Sequence, residues 1–214
     1  MKNLYILSGL GADKRVFQKM DFSAYNAVFI DWISPKKSET IESYARRLLS
    51  QIQHEKPILL GLSFGGIMAL EIGKLLDTEK IILIASAKNH KEIPWYFRLL
   101  GKLNFHKILP AQMLTRSNAV SNWLFGAKTT FEKTLLRQIL ADTDPIFLKW
   151  AMDKIVSWEN LLAPDNVFHM HGDMDRIFPS SFIKSDLSIK NGGHFMTLDK
   201  YTEIDKATKE AIYG

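Results

Sequence analysis

A serine between two glycines, in the segment GLSFG at positions 61–65, is the clearest sign of chemistry in this chain. The apolar residues Ile58 to Leu60 before it predict a short buried strand, and the residues from Ile67 to about Asp77 predict a helix. A serine between a strand and a helix stands on a sharp turn, where glycines leave room for the crowded backbone. Ser63 is therefore a candidate nucleophile whose hydroxyl is raised clear of the sheet.

A serine hydroxyl needs a neighbouring base before it can attack, and that base needs an acid to orient it. Among the six histidines, His194 is the candidate base, because it lies in a glycine-flanked loop after the last predicted strand. Three of the others are interpreted more simply as polar surface residues: His54, His90 and His106.

The candidate acids follow a strand that ends in HMH, with histidines at positions 169 and 171. We expect His169 and His171 to point to opposite faces of that strand. Asp173 and Asp175 lie just past its end, where a carboxylate can reach a base on a neighbouring loop. Spacing alone leaves either of the two as the acid.

The elements that position these residues alternate between strand and helix, which predicts a parallel sheet covered on both faces. A helix is predicted from Asp13 to Phe22, another from an N-cap at Ser38 to Ile52, a third near Pro179 and a last one from Thr197 to Tyr213. Predicted strands occupy 3–7, 27–30, 58–60, 81–85, 167–171 and 187–189.

About seventy residues after Ser86 contain no convincing strand, and their prolines and glycine divide them into about four predicted helices. We interpret this segment as an insertion into the α/β core, because no linker composition separates it. Asp142 and Asp144, with Pro145, are interpreted as a turn and a helix start rather than a paired-carboxylate site. The aromatic and apolar residues of this segment include Phe105, Ile108 and Leu109, and Pro110 is one of the residues that divide it.

Composition excludes several functions. The chain has 214 residues, 46% hydrophobic and 24% charged, and no cysteine, which rules out disulfides, thiolate zinc sites and a cysteine nucleophile. Eleven Lys and Arg against five Asp and Glu between Lys88 and Lys154 account for the net charge of +5. No phosphate loop, metal-spaced histidine cluster or nucleic-acid motif is present. We expect no membrane span, no signal peptide and a cytoplasmic location.

The order of GLSFG, then Asp175 in HGDMDRIFP, then His194 in GGHF resembles the α/β-hydrolase superfamily from residue 3 to the end. In that family the acid lies in a G-x-x-D-x-x-x-P stretch, which favours Asp175 over Asp173. The resemblance implies a reduced α/β-hydrolase fold, with a mostly parallel sheet of about six strands and a helical lid inserted after the fourth strand. It assigns residues 1–87 and 161–214 to the core and 88–160 to the lid.

The family's oxyanion loop corresponds to SGLG at positions 8–11, although a histidine usually stands where this chain has Ser8. The resemblance thus implies a catalytic triad of Ser63, His194 and Asp175, with the backbone N–H groups of Leu10 and Phe64 stabilising the oxyanion. The chain starts at the family's third strand, so we expect the antiparallel edge of the sheet to be missing. No metal or organic cofactor is expected.

The expected function is hydrolysis of a small or medium acyl ester through an acyl-enzyme. Two alternatives stay open: carbon–carbon bond hydrolysis or elimination by the same triad on a small carboxylated substrate, and ligand binding without turnover. The insertion is expected to line an apolar acyl pocket, for which Trp95, Trp123 and Phe125 are the candidates. The expected partner is therefore a small molecule, not a nucleic acid; the oligomeric state is left open.

Overall fold

The computed structural model describes residues 1–103 and 115–214, and six parallel strands form a single sheet within them. The strand order is β2-β1-β3-β4-β5-β6. Since all six strands are parallel, their carboxyl ends meet at one edge of the sheet. The predicted six-stranded α/β sheet is confirmed. The strands are β1 (Lys2–Leu7), β2 (Tyr25–Phe29), β3 (Ile58–Leu62), β4 (Lys80–Ile84), β5 (Val167–Gly172) and β6 (Leu187–Ile189).

Helices cover both faces of this sheet and also its carboxyl edge. Four of the described helices lie between β4 and β5, and these make up the described part of the helical insertion: α3, α4, α5 and α6. The bounds are α1 (Ile41–Leu48), α2 (Phe64–Gly73), α3 (Trp95–Lys102), α4 (Ala119–Phe125), α5 (Thr130–Asp142), α6 (Pro145–Val156), α7 (Met196–Asp199) and α8 (Tyr201–Tyr213).

Alternate residues of the central strand β3 pack into two separate cores. Ile58 and Leu60 face the core that includes α8, whereas Leu59 faces the core formed with α1 and α2. Every residue of β3 is buried, which is typical of a parallel strand with helices on both sides. Residues of the insertion join both cores, with Leu136 in the first and Phe147 in the second. The insertion therefore packs directly on the α/β core.

Two predicted helices differ from those in the structure. The helix expected from Asp13 to Phe22 is only a single 3-10 turn, Lys14–Phe17, with Asp13 as its N-cap. The backbone hydrogen bonds in this segment join residues that are three apart, not four apart as in an α-helix. The N-cap of α1 is Thr40, whose hydroxyl accepts the N–H of Ser43 at 3.2 Å. Ser38 lies outside the helix with a φ of +55°.

The C-terminal third also differs from its prediction in two places. Only a 3-10 turn, Ser180–Phe182, follows Pro179, because Asp186 already bonds to His169 of β5 at 2.9 Å and commits the chain to β6. The predicted terminal helix is divided into α7 and α8 at Lys200, whose φ of −121° is not helical.

The described part of the insertion begins with a 3-10 turn at His90–Glu92 and contains α3 to α6. Asp144 caps α6 by accepting the N–H of Ile146 at 2.8 Å, so the turn and helix start predicted at Asp142 to Pro145 are confirmed. The residues named earlier between Phe105 and Pro110 lie outside the described residues. No helix in the described ranges has both the length and the apolar character needed to cross a membrane.

Candidate active site

Ser63 stands on a sharp turn between β3 and α2. Its φ of +54° and ψ of −120° belong to a region that non-glycine residues rarely adopt. The chain is crowded there, since a β-carbon on Gly61 would lie 2.5 Å from the Cα of Gly66. A β-carbon on Gly65 would lie 2.7 Å from the carbonyl carbon of Leu7. Backbone strain of this kind concentrates at functional sites, and glycines make the close approach possible.

Three side chains from three loops form one chain of hydrogen bonds. His194 Nε2 lies 2.8 Å from Ser63 Oγ, and His194 Nδ1 lies 2.7 Å from Asp175 Oδ2. All three residues are buried, at 7% exposure or less. Ser63 follows β3, Asp175 follows β5 and His194 follows β6. The parallel sheet therefore brings together residues that are far apart in sequence.

The hydrogen bonds fix the protonation of the imidazole. Asp175 Oδ2 can only accept, so His194 carries a proton on Nδ1, and in the neutral ring Nε2 is left to accept the hydroxyl proton of Ser63. Burial pushes the pKa of Asp175 upward, but the positive charge that His194 carries when protonated, together with its hydrogen bond, lowers this pKa below its ordinary value. Asp175 is consequently ionised at neutral pH.

The acid loop and the base loop are joined directly. The N–H of Met174 donates to the carbonyl of Gly192 at 2.9 Å, and a β-carbon on Gly172 would clash with the Gly192 backbone. Asp175 Oδ1 accepts the N–H groups of Ile177 at 2.8 Å and Phe178 at 3.0 Å, which closes its own loop. Asp173, the other candidate acid, is exposed and does not contact His194 through any hydrogen bond of the described residues.

The SGLG loop at positions 8–11 lies against Ser63. A β-carbon on Gly9 would lie 3.3 Å from Ser63 Cβ, and a β-carbon on Gly65 would clash with the carbonyls of Leu7 and Ser8. Among the described residues, no hydrogen bond uses the N–H of Leu10 or of Phe64. Phe64 is the first residue of α2, where backbone N–H groups have no partner within the helix. One free donor, the N–H of Phe64, thus lies directly after Ser63, and the other, the N–H of Leu10, belongs to the loop that packs against Ser63.

Helix α4 of the insertion contacts the base loop through Phe125. The Phe125 ring meets the His194 ring edge to face, with centroids 5.7 Å apart, and the Phe125 carbonyl accepts the N–H of Phe195 at 3.1 Å. Trp123 lies farther out and is 58% exposed. The guanidinium carbon of Arg176 lies over its ring, 4.7 Å from the ring centroid. Trp95 is 64% exposed and packs on its neighbour Tyr96, away from these contacts.

The turn between α5 and α6 covers the SGLG loop from the other side. A β-carbon on Gly11, whose φ is +64°, would lie 3.3 Å from the Thr143 hydroxyl. A cavity of about 390 Å³ lies beside this contact, lined by Gly11, Trp32 and Phe147 among others, but not by Ser63 or His194. The insertion therefore approaches the Ser63 turn from two directions.

His169 and His171 were predicted to point to opposite faces, and this was wrong. Residues two apart in a strand share a face, and their ring centroids are 5.4 Å apart. His171 Nε2 donates to the Phe178 carbonyl at 2.7 Å, so this histidine borders the acid loop. The spacing of these two histidines in the sequence was therefore enough to predict that they share a face of β5. Of the surface histidines, His54 is exposed and bonds Tyr5, and His90 is half-buried.

Ser86, after β4, is a neighbour of the site that the sequence did not indicate. Its hydroxyl donates to the Ser63 carbonyl at 2.7 Å, and its Cβ would lie 2.6 Å from a β-carbon on Gly66. A small polar residue at the end of a strand was the only available signal. Within residues 1–103 and 115–214, no group of three or more His, Asp or Glu side chains is arranged to hold a metal ion.

Comparison with known proteins gives likeness of structure only. No protein-family model matches the chain, and no curated protein matches it in sequence. A hydrolase from Oleispira antarctica superposes with a TM-score of 0.72 at 16% identity, over 99% of this chain and 91% of that one.

Two further solved structures agree with the first. An esterase from Exiguobacterium antarcticum gives a TM-score of 0.70 at 15% identity, over 100% of this chain and 92% of that one. A meta-cleavage product hydrolase from Pseudomonas fluorescens IP01 gives 0.67 at 15% identity, over 99% and 90%. With the parallel sheet and the turn at Ser63, these matches identify the fold as that of the α/β-hydrolase superfamily.

Proposed function

We propose that this protein is a serine hydrolase that cleaves small or medium acyl esters through an acyl-enzyme. The observation that carries the proposal is the hydrogen-bond chain from Ser63 through His194 to Asp175, at 2.8 and 2.7 Å. A nucleophile within hydrogen-bond reach of a base that is oriented by a third group is the signature of nucleophilic catalysis. The structural similarity of this chain to a hydrolase and to an esterase supports the same reaction class.

In the proposed mechanism, Ser63 Oγ attacks the acyl carbonyl carbon while its proton passes to His194 Nε2. The tetrahedral intermediate collapses, His194 returns that proton to the leaving alcohol, and the acyl group stays on Ser63. A water molecule then gives a proton to His194 and attacks the acyl carbon. The carboxylic acid leaves and Ser63 recovers its proton. Asp175, ionised throughout, stabilises the imidazolium that forms in both halves.

The oxyanion of each intermediate is proposed to accept the N–H groups of Leu10 and Phe64. Both donors are unused among the described hydrogen bonds, and the SGLG loop packs on the Ser63 turn. The amino end of α2 adds a partial positive charge at the same place. Donors fixed in this way lower the barrier because they need no rearrangement as the charge develops.

Residues 88–160 are proposed as a lid on a core of residues 1–87 and 161–214. Support comes from the contacts that the insertion makes at the carboxyl edge, with Phe125 against His194 and Thr143 against Gly11. Phe125 is the best-supported wall of an apolar acyl pocket, and Trp123 borders its outer side. Trp95 has the weakest support, because its ring is largely exposed. A pocket covered in this way limits the length of the acyl chain.

A series of p-nitrophenyl esters of increasing acyl length tests this function, with Ser63→Ala as the control for non-enzymatic hydrolysis. We expect kcat/KM to be greatest for short or medium chains and to fall for long ones. A kcat/KM that kept rising through long acyl chains would contradict the bounded pocket. Turnover that survived Ser63→Ala unchanged would contradict the proposed function itself.

A second candidate, carbon–carbon bond hydrolysis on a carboxylated substrate by the same three residues, is favoured by Arg176. This arginine follows Asp175 directly, donates through Nη1 to the Trp123 carbonyl at 2.7 Å, and has no other hydrogen-bond partner among the described residues. Its free donors suit a carboxylate. The likeness to a meta-cleavage product hydrolase agrees with this candidate.

Arg176→Gln tests the carboxylate recognition that the second candidate requires, when neutral and carboxylated esters are compared at low and high salt. If a carboxylate is recognised, the variant and high salt both raise KM for the carboxylated ester more than for the neutral one. Equal effects on the two esters would remove the case for a carboxylated substrate. Arg98→Gln, in α3, is the matched control for the general loss of one positive charge.

A further inference from the structure

Asp175 lies between two histidines, of which the proposed mechanism uses only His194. The second, His171, stands near the end of β5 and is 2% exposed. Its Nε2 atom is 3.8 Å from Asp175 Oδ2, the same oxygen that accepts from His194 Nδ1. That distance is too long for a hydrogen bond, so any influence of His171 on the acid passes through another contact.

The contact is the backbone of Phe178. His171 Nε2 lies 2.7 Å from the Phe178 carbonyl, which can only accept, so the imidazole proton is on Nε2. The N–H of the same residue donates to Asp175 Oδ1 at 3.0 Å. Both polar backbone groups of Phe178 are thus bound, one by the strand and the other by the carboxylate. The closed loop fixes the direction in which Asp175 Oδ2 faces His194.

His171 is uncharged in this arrangement. Burial lowers its pKa, although the nearby charge of Asp175 acts in the opposite direction. Its Nδ1 atom is buried and has no hydrogen-bond partner in the described part of the chain. The titratable groups around it are Asp175 and His194 on the loops and His169 on β5, with Lys88 facing His169. Among the described residues, the bond to Phe178 is therefore the one hydrogen bond that the His171 side chain makes.

We infer that His171 is a positioning residue for Asp175, and this inference rests on the proposed function. It holds the loop of Asp175 through the Phe178 carbonyl and so keeps the carboxylate aimed at His194 Nδ1. Removing the donor while keeping the bulk of the side chain should let the carboxylate turn away from the imidazole. The imidazolium formed during catalysis would then be less stabilised, whereas substrate binding would not change.

The matched pair His171→Gln and His171→Met tests the inference, because both side chains have similar length and only Gln can donate to Phe178. We expect His171→Met to lower kcat about 10-fold or more with KM nearly unchanged, as a misplaced catalytic group does. We expect His171→Gln to keep kcat within about 3-fold of the unmodified protein. The acid limb of the kcat/KM profile should move to lower pH in the Met variant alone.

His169→Met is the control for burial, because His169 lies 5.4 Å away on the same strand face without a bond to the acid loop. It should leave the pH profile in place. If His171→Met and His169→Met behaved alike, or if Gln failed to restore what Met removes, the inference would be overturned.

Nuclear magnetic resonance of the unmodified protein gives a readout that needs neither turnover nor a folded variant. Long-range nitrogen–proton spectra should show His171 with its proton on Nε2 and His194 with its proton on Nδ1. A proton on His171 Nδ1 would overturn the inference. Failure of the proposed function is recognised separately, because Ser63→Ala would then retain the full rate while these spectra still report on the two histidines.

Discussion

Trp158 Nε1 donates a buried hydrogen bond of 2.8 Å to Glu71 Oε1. The bond joins the residues after α6 to α2, the helix that begins at the Ser63 turn. Replacing Trp158 by Phe keeps an aromatic ring but leaves a buried carboxylate with Lys74, 2.6 Å away, as its remaining partner. We expect a loss of about 1–3 kcal/mol in the free energy of unfolding, measured by urea denaturation.

The control for this substitution is Trp95→Phe, which changes an exposed ring in the same insertion. It should alter the free energy of unfolding by no more than about 0.5 kcal/mol. Equal effects of the two substitutions would show that the bond to Glu71 contributes nothing specific to stability.

The glycines of α2 should differ in their tolerance of alanine. A β-carbon at Gly65 would meet the backbone of Leu7 and Ser8, which cannot move without displacing β1, whereas one at Gly73 would lie 2.6 Å from the terminal methyl of Ile81, a flexible side chain that can shift. We therefore expect Gly65→Ala to destabilise the protein strongly, and Gly73→Ala to be near neutral because alanine favours the helix by about 1 kcal/mol. Thermal unfolding of the two variants side by side measures the difference; a tolerant Gly65 would contradict the close packing of the turn.

The SGLG loop should tolerate no β-branched residue. A side chain at Gly9 would approach Ser63, and Gly11 has a φ of +64° that valine does not adopt readily. We expect Gly9→Val and Gly11→Val to lower kcat by about 10²-fold or more, the cost of a lost oxyanion donor. Leu10→Met, which keeps the backbone N–H, is the control. Full activity in both valine variants would argue against donation by Leu10.

Acid should destabilise the protein through the buried histidines of β5. Burial lowers the pKa of His169 to about 3, and the nearby His171 acts in the same direction. The unfolded chain, with an ordinary histidine pKa of about 6.5, therefore binds a proton that the folded chain does not between these two values. Stability contributed by neutral His169 is complete above about pH 6.5 and is lost as the pH falls towards 3.

Urea denaturation at pH 7 and pH 4.5 measures this loss, with His169→Met as the comparison. Over that range the unmodified protein should lose about 2.5 kcal/mol more than the variant, since each pH unit below the unfolded pKa costs about 1.4 kcal/mol. Parallel losses in both proteins would mean that His169 is protonated in the folded state.

The meeting of Ser63, Asp175 and His194 was predictable because it depends on chain order and on the carboxyl ends of parallel strands. The position of the Leu10 loop beside the Ser63 turn was expected from the resemblance alone. The choice of Asp175 over Asp173 rested on the resemblance. In the structure, the Asp175 side chain is held in place because it accepts two backbone N–H groups of its own loop.

Side-chain contacts of the insertion were less predictable. Its helices carry aromatic residues on several faces, so composition could not distinguish Phe125, which meets His194, from Trp95, which is exposed. The link from His171 through a backbone carbonyl to Asp175 has no sequence pattern at all, because any residue can provide a carbonyl at position 178. Only the shared face of His169 and His171 could have been read from the strand period.

The central claim is that His194 and Asp175 activate Ser63, and the rate of labelling by a fluorophosphonate tests it most directly. Mass spectrometry of the intact protein should show one adduct on Ser63, absent in Ser63→Ala and formed at least about 10²-fold more slowly in His194→Ala and Asp175→Asn. Asp173→Asn, the matched control, should label at the unmodified rate. Labelling that persisted in Ser63→Ala, or that was slowed more by Asp173→Asn than by Asp175→Asn, would contradict the account.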